Sequence, residues 1–478
     1  MKINDTIAAA ATPVGEGGIG IIRVSGDEAI FIADKIYRGK KSLSEVKSHT
    51  INYGHITDLE NGEIIDEVMV SVMKSPRTYT GEDCVEINCH GGSIVMQSIL
   101  LQLIKAGANT AQPGEFTKRA FLNGRIDLSG AESVIDIIEA QNSYALKSAL
   151  AQLNGKLKDK IISIRKKILE EAAFIDAAAD DPEHYDFEES ENRNRLYEKI
   201  LHISNDIQKL LESSENGKII KEGIKTVILG RPNVGKSSVL NLLSGRESAI
   251  VSDIPGTTRD MISEHIRMAG INLKITDTAG IRKSDDPLEN IGMEKARDAA
   301  KEADLIICVI DSSEEINEED TQIIKDIENS DIKSLILLNK SDKKNVTSKE
   351  DIKKITNMDV VMFSAREACG LEELEEVIKK KFYKKTSGEK KNISIEIDFN
   401  DHIFITNIRH KEALLNAQNS IKSVLQGMEN NVPEDFFSID LMEAYENLGS
   451  IIGERVSEDL IDEIFSKLDG ELENAYKA

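Results

Sequence analysis

The sequence predicts a multidomain α/β chain: an N-terminal α+β domain, then an all-α helical domain interrupted by an inserted domain with a mostly parallel sheet. Three textures predict this. Short apolar runs broken by glycine turns ("GIGIIRV", "EVMVSVM", "CVEINC") and one helical stripe ("SIVMQSILLQLIKAGA") fill residues 1–118. Apolar residues three and four apart, as in "AESVIDIIEAQNSYALKSALAQLNGKLKDKIISIRKK", mark bundle helices over 119–214. Strand and helix patterns alternate over 215–384, and helix returns over 385–478. At 478 residues the chain exceeds one ordinary core.

Within 215–384 the expected strands are "IKTVILG", "INLKITD", "DLIICVID", "SLILLNK" and "DVVMFSA". The acidic stretch "DDPEHYDFEESE" reads as a loop between helices. The composition, 40% apolar and 30% charged, fits a globular protein. No apolar run approaches membrane-spanning length, and the start lacks a secretory pattern, so a cytoplasmic location is expected. A net charge of −24 argues against indiscriminate nucleic-acid binding. The lysine-rich stretches at 156–167 and 379–391 read as a solvated helix face and a linker. Cys84, Cys89, Cys308 and Cys369 have no metal-ligand spacing.

The chemistry is concentrated in the inserted domain. "GRPNVGKSS" follows a strand and precedes a helix, with Gly230, Asn233, Val234, Gly235, Lys236, Ser237 and Ser238 as phosphate-loop residues. Its glycines let backbone N–H groups face phosphates, Lys236 reaches the outer phosphates, and Ser237 offers a hydroxyl to Mg2+. This makes the domain Ras-like and P-loop in type. "SDIPGTT" adds Ser252, Asp253, Ile254, Pro255, Gly256, Thr257 and Thr258, the last as a second Mg2+ ligand. "DTAG" adds Asp277, Thr278, Ala279 and Gly280, with Asp277 for the metal's water and the Gly280 N–H for the γ-phosphate. "NKSD" gives Asn339, Lys340 and Asp342, whose carboxylate accepts both donors of guanine's edge and selects GTP over ATP. "SAR" gives Ser364, Ala365 and Arg366, with the Ala365 N–H for the guanine carbonyl. Five elements in this order predict a GTP hydrolase.

After "DTAG", where Ras-type switches carry a water-orienting glutamine, stands Ile281, which has no hydrogen-bonding side-chain atom. Oxygens of Asn233, Ser252, Ile254 and Thr257 are candidates to hold a monovalent cation, K+, in place of an arginine finger. Glu289 is the candidate water-orienting carboxylate; on residue chemistry alone Asp285 and Asp286 compete with it.

Over residues 4–467 the chain resembles the MnmE (TrmE) family of tRNA-modification GTPases. The resemblance rests on the phosphate loop, "SDIPGTTRD", "DTIAAAATPVGEGGIGIIRVSG", "YTGEDCVEINCHGG", "PGEFTKRAFLNGRIDLSGAES" and "NIRH". It implies an N-terminal domain (1–118) that binds a tetrahydrofolate derivative, 5-formyl- or methylene-tetrahydrofolate, and forms a homodimer. It implies a GTPase domain (215–384) inserted between two helical parts (119–214 and 385–478). Potassium-dependent pairing of GTPase domains would activate hydrolysis, with Glu289 orienting water and Asn233 helping to hold potassium. A flavoprotein, MnmG (GidA), would join in a heterotetramer or larger complex. Together they would build a carboxymethylaminomethyl or aminomethyl group at carbon 5 of the wobble uridine of certain tRNAs. Arg23, Glu86 and Arg125 fall at folate-contacting positions; Arg125 stands where the family usually has lysine, keeping the charge but presenting a planar fork.

A second departure is at the end, where "LDGELENAYKA" stands in place of the family's Phe-Cys-Ile-Gly-Lys and no cysteine follows Cys369. Two other expectations compete: a family member unable to modify tRNA, which that tail suggests, and a ribosome-assembly switch of the Era or Der type, which shares the nucleotide motifs.

Overall fold

The computed structural model describes residues 5–13, 15, 17–180, 190–245, 263–268, 271–276, 303–330, 332–382, 403–430, 432–433 and 435–454. The chain divides into two compact units: Met1–Ile135 with Ala151–Arg193 and Gln426–Ala478, and Asp136–Leu150 with Asn194–Leu425.

The first unit opens with β1 (Ile7–Ala10), β2 (Gly17–Ser25), α1 (Ala29–Ile36), β3 (Tyr37–Gly39), β4 (Thr50–Thr57), β5 (Ile64–Met73), β6 (Cys84–Gly91), α2 (Ser93–Ala106) and β7 (Asn109–Thr110). The strands form one sheet in the order β3-β4-β5-β6-β2-β1-β7. Alternation decides its two faces. Ile22, Val24, Val68, Val70, Val72, Val85 and Ile87 point to one side and pack on Ile32, Ile36, Ile99 and Leu103 of α1 and α2. The opposite side carries Arg23 directly across from Glu86.

Then come α3 (Glu115–Leu122), α4 (Leu128–Ile138), α5 (Ser143–Leu153), α6 (Lys156–Asp180) and α7 (Ser190–Glu222). The stripe read as continuous helical periodicity is thus three helices, α4 to α6, separated at Asn142 and Gly155. The acidic stretch read as a loop starts inside α6 and ends inside α7; residues 181–189 lie outside the described residues. Among the described residues no helix is long and apolar enough to cross a membrane.

In the second unit α7 reaches β8 (Ile224–Leu229) through Gly223 alone. There follow α8 (Lys236–Ser244), β9 (Ser263–Met268), β10 (Ile271–Thr276), β11 (Leu305–Asp311), α9 (Glu318–Glu328), β12 (Lys333–Asn339), α10 (Lys349–Lys353), β13 (Asp359–Met362), α11 (Leu371–Phe382) and α12 (Ile408–Glu429); α13 (Asp435–Ile452) returns to the first unit. All five expected strands form, in the order β13-β12-β11-β8-β10-β9, and pair in parallel except at β9–β10. Every residue of β11 is buried because both faces are covered. Leu305, Ile307 and Val309 pack on the side of α8 and α11, while Ile306, Cys308 and Ile310 pack on Ile324, Ile327 and Ile352.

The first of these cores reaches beyond the strand–helix alternation, since Ala145 of α5, Ile220 of α7 and Phe404 belong to it. Asn142 caps α5, accepting from the Ala145 N–H at 2.7 Å, and donates to the Ile220 carbonyl at 3.0 Å. Lys221 pairs with Asp136 at 2.6 Å, which also accepts from Thr406. Segment 403–407 lies so close to α7 that a Cβ on Gly217 would stand 2.1 Å from the Ile405 carbonyl oxygen. Gly217→Ala is therefore expected to destabilise this unit by about 1–3 kcal/mol, since backbone rather than a side chain must yield. A thermal-unfolding midpoint equal to wild type would count against this packing.

Candidate functional site

Strand β8 ends at Leu229 and the chain turns at Gly230 into the predicted phosphate loop. Asn233 holds a left-handed backbone, φ 63°. Gly235 (φ 98°) caps α8, so the helix's first N–H groups face the loop. Lys236 turns its Nζ onto the loop's own carbonyls, Gly230 at 2.6 Å and Arg231 at 2.8 Å. Asn233 and Ser238 are exposed, Lys236 and Ser237 half-buried, and Val234 is buried.

The residues expected to read guanine arrive from β12 and from the turn after β13. Asn339 ends β12, and its carboxamide joins the two loops: Nδ2 donates to the Val234 carbonyl at 2.9 Å, and Oδ1 accepts from the Ala365 N–H at 3.1 Å. A Cβ at Gly235 would meet Asn339 Nδ2 at 2.3 Å, so only glycine permits this approach. Ser364 donates to Asp342 Oδ1 at 2.7 Å. That hydroxyl, helped by Arg366 and Lys343 nearby, holds the Asp342 carboxyl below its ordinary value. The carboxylate is thus ready to accept from a base edge.

Two contacts here are invisible in the motifs. Lys340 donates to the Asn233 carbonyl at 2.8 Å and to Asp311 Oδ2 at 2.6 Å. Burial pushes the Asp311 carboxyl up, but bonds from Lys340 and Ser313 outweigh it and leave it below its ordinary value. Arg231 pairs with Asp320 at 2.7 Å, a buried residue that also closes the capping box of α9 with Asn317. Neither acid has a sequence signal, because each lies on a separate element brought near by the sheet.

Ser252, Asp253, Ile254, Pro255, Gly256, Thr257, Thr258, Asp277, Thr278, Ala279, Gly280 and Glu289 lie outside the described residues. Of the expected cation donors, Ser237 and Asn233 are described. Hydroxyl and amide oxygens of this kind are hard, neutral donors suited to Mg2+ and K+.

In the first unit, Arg23 and Glu86 form an ion pair at 2.8 Å with about a quarter of each side chain exposed. The Arg23 guanidinium lies 5.3 Å from the Tyr79 ring centroid and 5.5 Å from that of Phe116. Both rings sit inside quoted motifs, "YTGEDC" and "PGEFTKRAF", yet their convergence on Arg23 is a tertiary fact. Arg125 is exposed on the turn after α3, and no hydrogen bond or ion pair among the described residues connects it to the Arg23–Glu86 pair. Cys84 lies nearby but burial pushes its thiol up to about 12, so it is no thiolate nucleophile at neutral pH.

The Asp342–Ser364 contact fixes the sign of a pH effect. A depressed carboxyl stays ionised further into acid, so guanine-nucleotide affinity should persist as pH falls from neutral towards ~4. Ser364→Ala removes the largest lowering cause, and loss of affinity should then begin at higher pH. Fluorescent-GDP titrations of the two proteins across that range test this; superimposable profiles would exclude the Ser364 effect.

The family model of the MnmE helical domain matches residues 128–468, and that of the GTP-binding protein TrmE N-terminus matches residues 6–125. The chain is 50% identical over 466 residues to the tRNA modification GTPase MnmE of Lachnoclostridium phytofermentans, covering 97% of this chain and 98% of that one. It is 47% identical to the MnmE of Bacillus subtilis, covering 97% and 99%. Among solved structures, the G domain of the T. maritima FeoB iron transporter is 27% identical with a TM-score of 0.26, covering 33% of this chain and 97% of that one. With both family models matched and relatives near half identity along its length, the chain belongs to the MnmE family of tRNA modification GTPases.

Proposed function

We propose that this GTPase is stimulated by potassium and acts in the cytoplasm with a flavoprotein of the MnmG (GidA) type on the wobble uridine of certain tRNAs. In this reading residues 1–118 carry the folate site and 215–384 the GTPase, set between helical parts 119–214 and 385–478. The observation that carries the GTPase part is the Asn339 bridge between the Val234 carbonyl and the Ala365 N–H, with Asp342 beside it.

The residues divide the work by chemistry. Asp342 accepts from guanine's two edge donors, and the Ala365 N–H exchanges Asn339 Oδ1 for the guanine carbonyl; adenine offers the carboxylate no such pair of donors and is disfavoured. Lys236 leaves its present carbonyl partners for the outer phosphates, and the first turn of α8 receives their charge. Ser237 and Thr258 would hold Mg2+; Asn233, Ser252, Ile254 and Thr257 would hold K+. A cation at that second set supplies positive charge where the transferring phosphate accumulates negative charge. The Asn233 main-chain carbonyl accepts from Lys340, so the oxygen Asn233 would offer the cation is that of its side chain. Glu289 orients the attacking water, which Ile281 is unable to do.

The Arg23–Glu86 pair between Tyr79 and Phe116 supports the folate reading. A pterin offers a flat ring to stack and a guanidine-like edge for a carboxylate, and the glutamate tail suits a cation. Homodimer formation is supported by Ile51, Tyr53 and Met69, apolar side chains 69%, 60% and 53% exposed on the same sheet.

GTP turnover is expected to be at least about tenfold faster in potassium than in sodium at equal ionic strength, a fraction of what an arginine finger supplies. Equal rates would remove the cation from the mechanism. Glu289→Ala is expected to slow single-turnover hydrolysis by about 10²- to 10³-fold while GTP affinity stays near wild type, since the carboxylate acts on water alone. Normal hydrolysis by that variant would move the role to another acid.

A further inference from the structure

Beside the Arg23–Glu86 pair lies a second guanidinium, almost fully buried. Arg119 of α3 is 5% exposed. Its Nη1 donates to the Asp5 carbonyl at 2.7 Å and to the two Glu82 oxygens at 3.2 and 3.3 Å. Its Nε and Nη2 donate to Glu115 Oε1 at 3.2 and 2.8 Å. The start of β1, the turn before β6 and the first turn of α3 therefore meet on one planar group.

Each acid fixes one aromatic ring. Glu82 accepts from Ser25 Oγ at 2.8 Å, Ser25 Oγ shares a 2.7 Å bond with Thr80 Oγ1, and Thr78 donates to the Glu82 carbonyl at 2.6 Å. Those bonds set the turn that carries Tyr79. Glu115 also accepts from the Gln112 N–H at 2.7 Å, which sets the start of α3, where Phe116 is the second residue. The Tyr79 and Thr117 hydroxyls share a 2.8 Å bond that closes the frame. Tyr79 and Phe116 are the two rings that flank Arg23.

Well-packed apolar side chains hold segments together as firmly as a buried charge cluster does, without the cost of desolvation. A planar five-donor group adds fixed directions between its partners, which lysine lacks. We infer that Arg119 is a positioning residue for ligand binding at Arg23 and Glu86: through Glu82 and Glu115 it sets the separation of Tyr79 and Phe116, and with it the placement of the Arg23 guanidinium they flank, against which a flat heteroaromatic ring is received. This rests on the folate reading of that pair.

The test measures 5-formyltetrahydrofolate binding to the full chain by calorimetry, with GTP turnover and thermal midpoint recorded for every variant. Arg119→Met is expected to weaken binding at least tenfold with GTP turnover unchanged. Arg119→Lys keeps the charge but not the fork, and is expected to recover part of that loss; it also replaces the first variant should Arg119→Met fail to fold. Combined with Phe116→Ala, the Arg119 substitution should cost far less than the product of the two single losses, because both act on one ring. Unchanged affinity in the Arg119 variants, or losses that simply multiply, would overturn the inference. Wild-type protein that binds no folate would instead overturn the reading beneath it, whereas folate binding lost in Arg23→Ala and kept in the Arg119 variants would overturn the positioning role alone.

Discussion

The carboxamide of Asn339 is the constraint on which the nucleotide unit depends. It has one donor and one acceptor engaged, each with a different loop, so the loop after β8 and the turn after β13 stand at one fixed spacing before any ligand arrives. Backbone groups held this way are already oriented, so less ordering remains for binding to accomplish. Glycine at 235 is the corollary, because the amide occupies the space a side chain would need. Lys340 and Arg231 extend the same logic sideways, tying the loop to the end of β11 and to the cap of α9.

Most of this fold was legible because the sheet is covered on both faces. Runs such as "LIICVID" have no polar position to spare, and their length distinguishes strand from helix. β9 escaped because residues 263–268, "SEHIRM", mix polar and apolar side chains at the sheet's edge, where pattern is weakest. The turns after β8 and β13 were legible for a different reason: their backbones need particular residues at particular spacings, so their positions are written locally. Asp311, Asp320, Tyr79, Phe116 and Arg119 were not, since each matters through a partner tens of residues away that only the folded register supplies.

The same contrast marks the charges. The chain has a net charge of −24 and few of the acids among the described residues are buried, yet Arg119 and Arg231 each draw acids into or beside the interior. Arg165 does likewise in the helices, stacking on the Tyr445 ring at 3.9 Å and pairing with Glu454 at 2.7 Å. All three are arginines, in keeping with a weakly hydrated, planar cation that tolerates burial when its fork is filled. Arg125, by contrast, is exposed on the turn after α3.

The core that joins Ala145 to Phe404 has a consequence for biosynthesis. Those residues are about 260 positions apart, and a ribosome adding about 5–20 residues per second needs roughly 13–50 s to deliver the second after the first. Throughout that interval the part of this core that Phe404 completes stays open in the nascent chain, a span in which a ribosome-bound chaperone has time to shield it.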